Sequence, residues 1–332
     1  MQYRDGVGAV SDRRRLRTLR ITVVVLLITT IAFGAYAAIL AVGGNGNPGP
    51  SPSGGTLTVL ASFFPLQDWA LNVGGSKVNV SLIVPPSEDV HEFEPSPASL
   101  QELSTADVLI LNGAGLEPWA EAAVKAAGNA KLVVVDCSQN VTLLPVPPEF
   151  QVSNRTVDPH IWLDPVDAMQ MVRNILAGFV KADPTDTAYF TANAGAYMAR
   201  LQDLDAQFAA LSKSSLATRE FVTFHTAFGY LAKQYNLTQV PVFGPFEEEP
   251  TAADIANVVQ VINRDHLLYV GYESLENPAI PQTIASQTNA TLVPMNPIEG
   301  LDANQRAEGQ TYLTIMAQTL LVLNLALNSV RG

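Results

Sequence analysis

Cysteine is nearly absent from this sequence of 332 residues, which contains only Cys137. A single cysteine cannot form an internal disulfide, and without a Cys-x-x-Cys pair the chain has no pair of thiolate ligands for a metal ion. Cys137 follows an apolar run, which predicts a small buried side chain. Histidine is also scarce, with four residues, so any metal site built from imidazoles must draw on very few positions.

Positive charge is scarce after the N-terminus. Residues 1–55 contain six Lys/Arg and two Asp/Glu, which leaves 13 basic and 29 acidic side chains from residue 56 onward, a formal charge of −16. This acidic balance argues against nucleic acid and anionic lipid surfaces as partners. The length suits two lobes of ordinary size.

The first 55 residues differ in composition from the rest. Residues 1–20 form a basic segment, and residues 21–42 are an uncharged apolar run of 22 residues, close to the roughly 20 that cross a bilayer. The basic flank predicts a single-pass anchor in the cell membrane with the folded part on the extracytoplasmic side. A cleaved secretory signal is the alternative, because Ala35-Tyr36-Ala37 resembles a cleavage site. Residues 43–55 predict a flexible Gly/Pro/Ser linker.

From residue 56 onward, short β-branched runs alternate with longer helical periods. Strands are predicted at 57–61, 78–84, 108–111, 132–135, 221–224, 239–243, 267–271 and 291–295. Alternation of this kind indicates βαβ units and parallel sheets. We therefore predict an α/β protein with an N-terminal lobe (56–180), a long linking helix (181–213) and a C-terminal lobe (214–332), closed by a helix from Gln305 to Ser329.

Three of the four histidines lie where an α/β protein binds ligands. His91 follows a predicted strand and a turn, His225 directly follows another strand, and His160 lies at the junction of the two lobes. Ligands of open α/β sheets bind at the carboxyl ends of strands. Three imidazoles with one further donor are a recurrent zinc arrangement, so these histidines suit a metal site in the cleft between the lobes, although each histidine by itself is more often a structural residue. His266, at a helix exit, is interpreted as structural.

Three sequence blocks carry a resemblance to a known family. They are LIVPPSEDVHEFEPS (82–96), DPHIWLDP (158–165) and FVTFHTAFGYLAKQYNL (221–237). Together they resemble the zinc/manganese-type (cluster A-I) solute-binding proteins of ABC transporters, most closely the zinc receptors, over about residues 56–330. The resemblance implies a monomeric extracytoplasmic receptor without catalysis, whose partners are an ABC permease and its ATPase.

The resemblance also implies the metal ligands His91, His160 and His225. Manganese-binding members tend to have a glutamate where this chain has His225, so zinc is expected and manganese is the alternative. A nitrogen-rich set of donors favours zinc on general grounds as well.

The fourth ligand departs from the family pattern, because Asn296 stands where an aspartate is usual. Asn296 is itself a candidate ligand, but a neutral amide is a weak zinc ligand, so the alternatives are Glu273 after a strand, Glu299 in the same loop, or water. We expect Glu273 first.

Two aspartates flank His160 and suit the support of a ligand. Asp158 and Asp164 are expected to accept the second ring N–H of a ligating histidine. Asp164 precedes Pro165, however, and this pair equally suits the start of a helix.

Two other functions remain as alternatives. Three histidines with an open position also describe a zinc hydrolase or hydratase, but the sequence has no His-Glu-x-x-His helix and no Gly-x-Ser-x-Gly elbow. Related receptors have also been described as surface adhesins, members of a cell-adhesion family. The acidic triplet Glu247–Glu249 is interpreted as a helix N-terminus rather than as a second metal cluster.

Overall fold

The computed structural model describes residues 55–86, 88–151, 155–246 and 250–330. The predicted basic segment 1–20, the membrane helix 21–42, all of the linker 43–55 except Gly55, and the Glu247–Glu249 triplet lie outside the described residues. Within the described ranges, no helix is both long and apolar enough to cross a membrane.

Among the described residues, the N-terminal sheet has four parallel strands in the order β2-β1-β3-β4. The strands are β1 Leu57–Ala61, β2 Val78–Leu82, β3 Val108–Leu111 and β4 Val133–Asp136, and they are joined through helices α1 Phe64–Gly74, α2 Pro97–Leu103 and α3 Ala120–Ala127. Parallel strands are covered on both faces, so β3 is buried along its whole length. Val108 and Ile110 pack into one core cluster and Leu109 into another.

Two long helices follow this sheet in the chain, α4 Pro165–Ala182 and α5 Thr187–Lys213. The buried side chains of α5 recur alternately four and three residues apart, at Phe190, Ala194, Tyr197, Leu201, Leu204, Phe208 and Leu211. This spacing gives one apolar stripe. The stripe lets α5 pack against α1, α4 and the closing helix Tyr312–Leu327.

The C-terminal sheet repeats the topology of the first, with the order β6-β5-β7-β8 and parallel pairing in the part of the chain described. Its strands are β5 Glu220–His225, β6 Thr238–Phe243, β7 Tyr269–Tyr272 and β8 Thr291–Pro294. The remaining helices are α6 Gly229–Gln234, α7 Ala252–Arg264, α8 Ala279–Thr288, α9 Ala303–Ala307 and α10 Tyr312–Leu327, with 3-10 turns at Gly75–Lys77, Pro148–Phe150, Ile161–Leu163 and Pro184–Asp186.

The predicted α/β class, with two parallel-sheet lobes and a long helix, is confirmed. The closing helix was predicted as one piece, but it is broken between α9 and α10, where Gly309 has a φ of 65° and Thr311 caps α10. Helix α8 was not predicted, because Pro281 and the polar residues around it hide its period; proline is tolerated in a first helical turn. The lobe limits, 56–180, 181–213 and 214–332, stay predictions.

Candidate metal centre

The side chains of three histidines and one glutamate form a compact cluster. Oε1 of Glu299 lies 3.5 Å from Nε2 of His91, 3.2 Å from Nε2 of His160 and 3.3 Å from Nε2 of His225. The four donor atoms all lie within 4.8 Å of one another. In a tetrahedral zinc site with bonds of about 2.0–2.1 Å, neighbouring donors are about 3.3–3.4 Å apart. The cluster therefore has the size of a tetrahedral site.

The topology explains why these side chains meet. His225 is the last residue of β5, so it stands at the carboxyl end of a central strand. His91 lies in the loop after β2, where its backbone N–H donates to Oδ1 of Asp89 over 2.7 Å. His160 comes just before the Ile161–Leu163 turn that leads into α4. The cluster is thus assembled from both sheets and the segment between them.

A strained residue presents Glu299 to the histidines. Ile298 has a φ of 65°, in the left-handed region that β-branched residues rarely adopt, and it is fully buried. Its N–H donates to Oδ1 of Asn296 over 2.6 Å. Backbone strain of this kind costs of order 1–3 kcal/mol and concentrates at functional sites. Asn296 therefore shapes the loop, and its Nδ2 donates to Oγ of Ser274.

The second ring nitrogens of two histidines contact carboxylates. Nδ1 of His160 lies 2.8 Å from Oδ1 of Asp158, and Nδ1 of His225 lies 2.7 Å from Oε1 of Glu273. A carboxylate at Nδ1 favours the tautomer with the proton there, which leaves the Nε2 lone pair free for a metal ion. Both Nε2 atoms face the cluster.

The structure places two expected site residues elsewhere. Glu273, the fourth donor expected first, contacts the outer nitrogen of His225 because β7 ends beside β5, while Glu299 stands among the three Nε2 atoms. Asp164 caps α4 by accepting from the N–H of Val166 over 3.0 Å, and burial raises its pKa to about 7. Among the described contacts, Asp164 has none with His160, so the helix-start interpretation accounts for it.

The charges in the cluster depend on one another. Burial alone raises the pKa of Glu299, but the surrounding histidines, first His225, hold it well below its usual value. Burial alone lowers the pKa of His225, but Glu273 and Glu299 outweigh burial and raise it well above its usual value. Burial lowers the pKa of His91, and the opposing effect of Glu299 does not outweigh it. The cluster is therefore built around an anionic Glu299 that is matched by positive charge.

Residues 59–326 match the model of the family described as the zinc-uptake complex component A, periplasmic (ZnuA). The chain belongs to the ZnuA family. The predicted family, a metal-binding receptor rather than an enzyme, is confirmed.

The relatives agree with this membership. The high-affinity zinc uptake system protein ZnuA of Bacillus subtilis is 32% identical over 295 residues, which cover 86% of this chain and 92% of that protein. A match to the zinc-binding lipoprotein AdcA of Streptococcus pneumoniae, at 28% identity, covers 81% of this chain, which spans about half (55%) of that relative's length.

Solved structures give the same result. The Zn(II)-bound ZnuA-like domain of S. pneumoniae AdcA has a TM-score of 0.73 at 27% identity, covering 83% of this chain and 100% of the domain. The laminin-binding protein Lmb of Streptococcus agalactiae, described as bifunctional with adhesin and metal-transporting activity, has a TM-score of 0.73 at 28% identity, covering 82% and 99% of the two chains. The zinc-bound domain and the cluster of three histidines and one glutamate confirm zinc as the predicted ion.

An acidic cavity of about 140 Å³ adjoins the cluster of this ZnuA-family chain. Five carboxylate residues line it: Glu88, Asp89, Glu273, Glu276 and Glu299. The side chains of His91, His160 and His225 are 0–1% exposed, whereas that of Glu299 is 10% exposed. Glu299 is therefore the member of the cluster that faces the cavity.

Sequence reasoning missed several residues that hold the ligand loops. Trp162 Nε1 donates to the carbonyl of Pro297 over 2.7 Å, which ties the His160 segment to the loop of Glu299. Asn112 Nδ2 donates to the carbonyl of Pro159 over 2.9 Å. Arg155 donates to the carbonyl of His91. A lone arginine five residues before His160, in an acidic chain, is the signal that could have identified this last contact.

Proposed function

We propose that this chain is an extracytoplasmic zinc receptor that binds one Zn²⁺ through His91, His160, His225 and Glu299 and delivers it to an ABC permease driven by its ATPase. The observation that carries the proposal is the spacing of 3.2–3.5 Å between Glu299 Oε1 and the three Nε2 atoms. Asp158 and Glu273 hold two of the imidazoles in the orientation that ligation needs.

The donor set supports zinc over manganese. Imidazole nitrogens suit zinc, whereas manganese prefers a site richer in oxygen donors. Catalytic zinc keeps an open position for water, while closed four-donor sites hold the ion without reaction. The three histidine side chains here are 0–1% exposed, so the site is better suited to holding zinc than to hydrolysis or hydration.

The acidic cavity supports an approach route for the cation. It reaches Glu299 and is lined by Glu88, Asp89 and Glu276, whose charges attract a hydrated cation toward the cluster. Zinc binding displaces the protons that the imidazoles hold at their ligating nitrogens, because a histidine must be neutral there. Zinc affinity is therefore expected to fall in acid.

The location of the receptor is part of the same proposal. A membrane segment at 21–42 and a linker at 43–55 would tether a monomeric receptor beside its permease, which raises its effective concentration there. Adhesion is a second candidate, favoured by the similarity to Lmb. A host ligand such as laminin, bound equally by the metal-free and zinc-loaded chain, would support adhesion.

The decisive experiment is a chelator-competition titration of the demetallated chain with zinc and manganese. We expect one tightly bound zinc per chain, weaker manganese, and loss of tight zinc binding in His160→Ala. His266→Ala is the matched control, because it removes the one histidine outside the cluster. Tighter manganese than zinc would reverse the choice of ion, and equal zinc binding by His160→Ala would refute the site.

A further inference from the structure

The three histidines of the cluster are not held in the same way. Asp158 contacts Nδ1 of His160 and Glu273 contacts Nδ1 of His225. Among the described residues, His91 has an ion-pair contact with one carboxylate, Glu299, and this contact is through Nε2. Its backbone N–H donates to Asp89 within the same loop, so contacts from outside this loop must fix the orientation of the ring.

Arg155 supplies the first of these contacts. Its NH2 group donates to the carbonyl of His91 over 3.1 Å, and its NH1 group donates to Oε1 of Glu92 over 3.1 Å. Glu92 is 69% exposed, so this ion pair contributes little, whereas the bond to the carbonyl fixes the backbone that carries the ligand. Arg155 stands on the segment of His160, so it joins two ligand segments.

Phe246 supplies the second contact, from the C-terminal lobe. Its ring meets the ring of His91 edge-on, with centroids 6.1 Å apart, and the guanidinium of Arg155 lies 5.1 Å from its centroid. Phe246 is 8% exposed although it lies in the loop after β6. An aromatic ring that contacts both a guanidinium and an imidazole gains from both contacts.

We propose that Arg155 and Phe246 are the positioning residues of His91 and that together they set the rate at which the site releases zinc. This inference rests on the proposed zinc site. Arg155 belongs to the ligand segment before α4, and Phe246 to the C-terminal lobe, so their contact joins these two parts of the chain beside His91. Release of zinc through His91 requires this contact to open.

The test measures zinc binding and release separately. Zinc-loaded wild type and the variants Arg155→Ala, Arg155→Lys and Phe246→Leu are mixed with excess chelator in a stopped-flow instrument, and association is measured with the demetallated proteins. We expect Arg155→Ala and Phe246→Leu to release zinc about tenfold faster, in the range of a lost ligand-supporting contact, with one zinc per chain and little change in association. Arg155→Lys, which keeps the charge and one donor, should restore part of the slow release.

Glu92→Gln is the matched control, because it breaks the exposed ion pair of Arg155 and leaves the bond to the His91 carbonyl. It should release zinc at the wild-type rate. Wild-type release rates in both Arg155→Ala and Phe246→Leu would overturn the inference, and so would equal acceleration by Glu92→Gln. If Arg155→Ala does not fold, Arg155→Lys and Phe246→Leu carry the same test. Failure of the wild type to bind zinc would instead refute the proposed function.

Discussion

The two lobes share one strand order but use the same end of the sheet differently. In the C-terminal lobe, β5 ends at His225, and Glu273, directly after β7, contacts both the backbone N–H and Nδ1 of this histidine. In the N-terminal lobe, β1 is followed by Ser62, whose hydroxyl donates to Glu117 over 2.6 Å. In both lobes a carboxylate lies near the carboxyl ends of the strands. Whether it supports a metal site depends on the side chain that it contacts, which is a histidine in the C-terminal lobe and a serine in the N-terminal lobe.

Neighbouring groups also decide the charge of two glutamates, Glu117 in the N-terminal lobe and Glu299 in the C-terminal lobe. Burial raises the pKa of Glu117 to about 7, although Ser62, Asn112 and Gly113 donate to it. The pKa of Glu299 moves well below its usual value, because three histidines surround it. A buried carboxyl without a cation holds its proton up to a higher pH, and one among imidazoles loses it at a lower pH.

The largest effect is expected for Glu299→Gln, which tests the carboxylate that the C-terminal lobe supplies to the metal site. The change keeps the shape of the side chain and removes the charged donor. Four-ligand zinc sites have apparent binding energies of about 10–16 kcal/mol, so one donor contributes about 3 kcal/mol, or about 100-fold in affinity. Chelator competition measures the loss. A variant that binds zinc as tightly as the wild type would show that another group supplies the fourth donor.

Glu117→Gln tests the N-terminal lobe through the pH dependence of the free energy of unfolding. A carboxyl whose pKa rises from 4.5 to about 7 binds its proton more tightly in the folded state, so stability is lost as pH rises through this window. Glu117 is itself half-buried, and screening by solvent reduces the full effect to about 2 kcal/mol. Urea unfolding of the metal-free chain at pH 5 and pH 8 should show this loss in the wild type and its removal in the variant. All other ionisable groups are common to both proteins, so the difference reports Glu117.

Equal pH dependence in the two proteins would mean that Glu117 is ionised throughout. The matched variant Glu102→Gln, which changes an exposed glutamate on α2, should behave as the wild type does.

A direct comparison of the two lobes comes from Glu273→Gln and Glu117→Gln in a zinc titration. Loss of a carboxylate from the outer nitrogen of a ligating histidine costs about tenfold in affinity. We expect this loss for Glu273→Gln and less than about twofold for Glu117→Gln, which contacts Ser62 rather than an imidazole. Similar losses in both variants would remove the distinction between the lobes.

Much of the fold and of the site could be predicted because its signals are local. Apolar runs bounded by turns identified the strands, and the places of His91, His160 and His225 relative to strands and blocks identified candidate ligands. Glu299 could not be ranked above Glu273, because its direction depends on the φ of 65° at Ile298 and on the Asn296 turn. A contact between residues in different lobes produces no periodic pattern in the sequence, so it could not be predicted.

The smallest expected effect concerns the position where the family pattern has aspartate. Oδ1 of Asn296 accepts from the N–H of Ile298, and an aspartate at this position can accept the same bond. Ser274, which now accepts from Asn296 Nδ2, can rotate its hydroxyl and donate instead. Asn296→Asp should therefore change zinc affinity by less than about threefold, since Glu299 is the proposed fourth donor and lies among the three histidines. A large gain in affinity, measured beside Glu299→Gln and the double variant, would show that residue 296 reaches the ion and that the loop can exchange one carboxylate for the other.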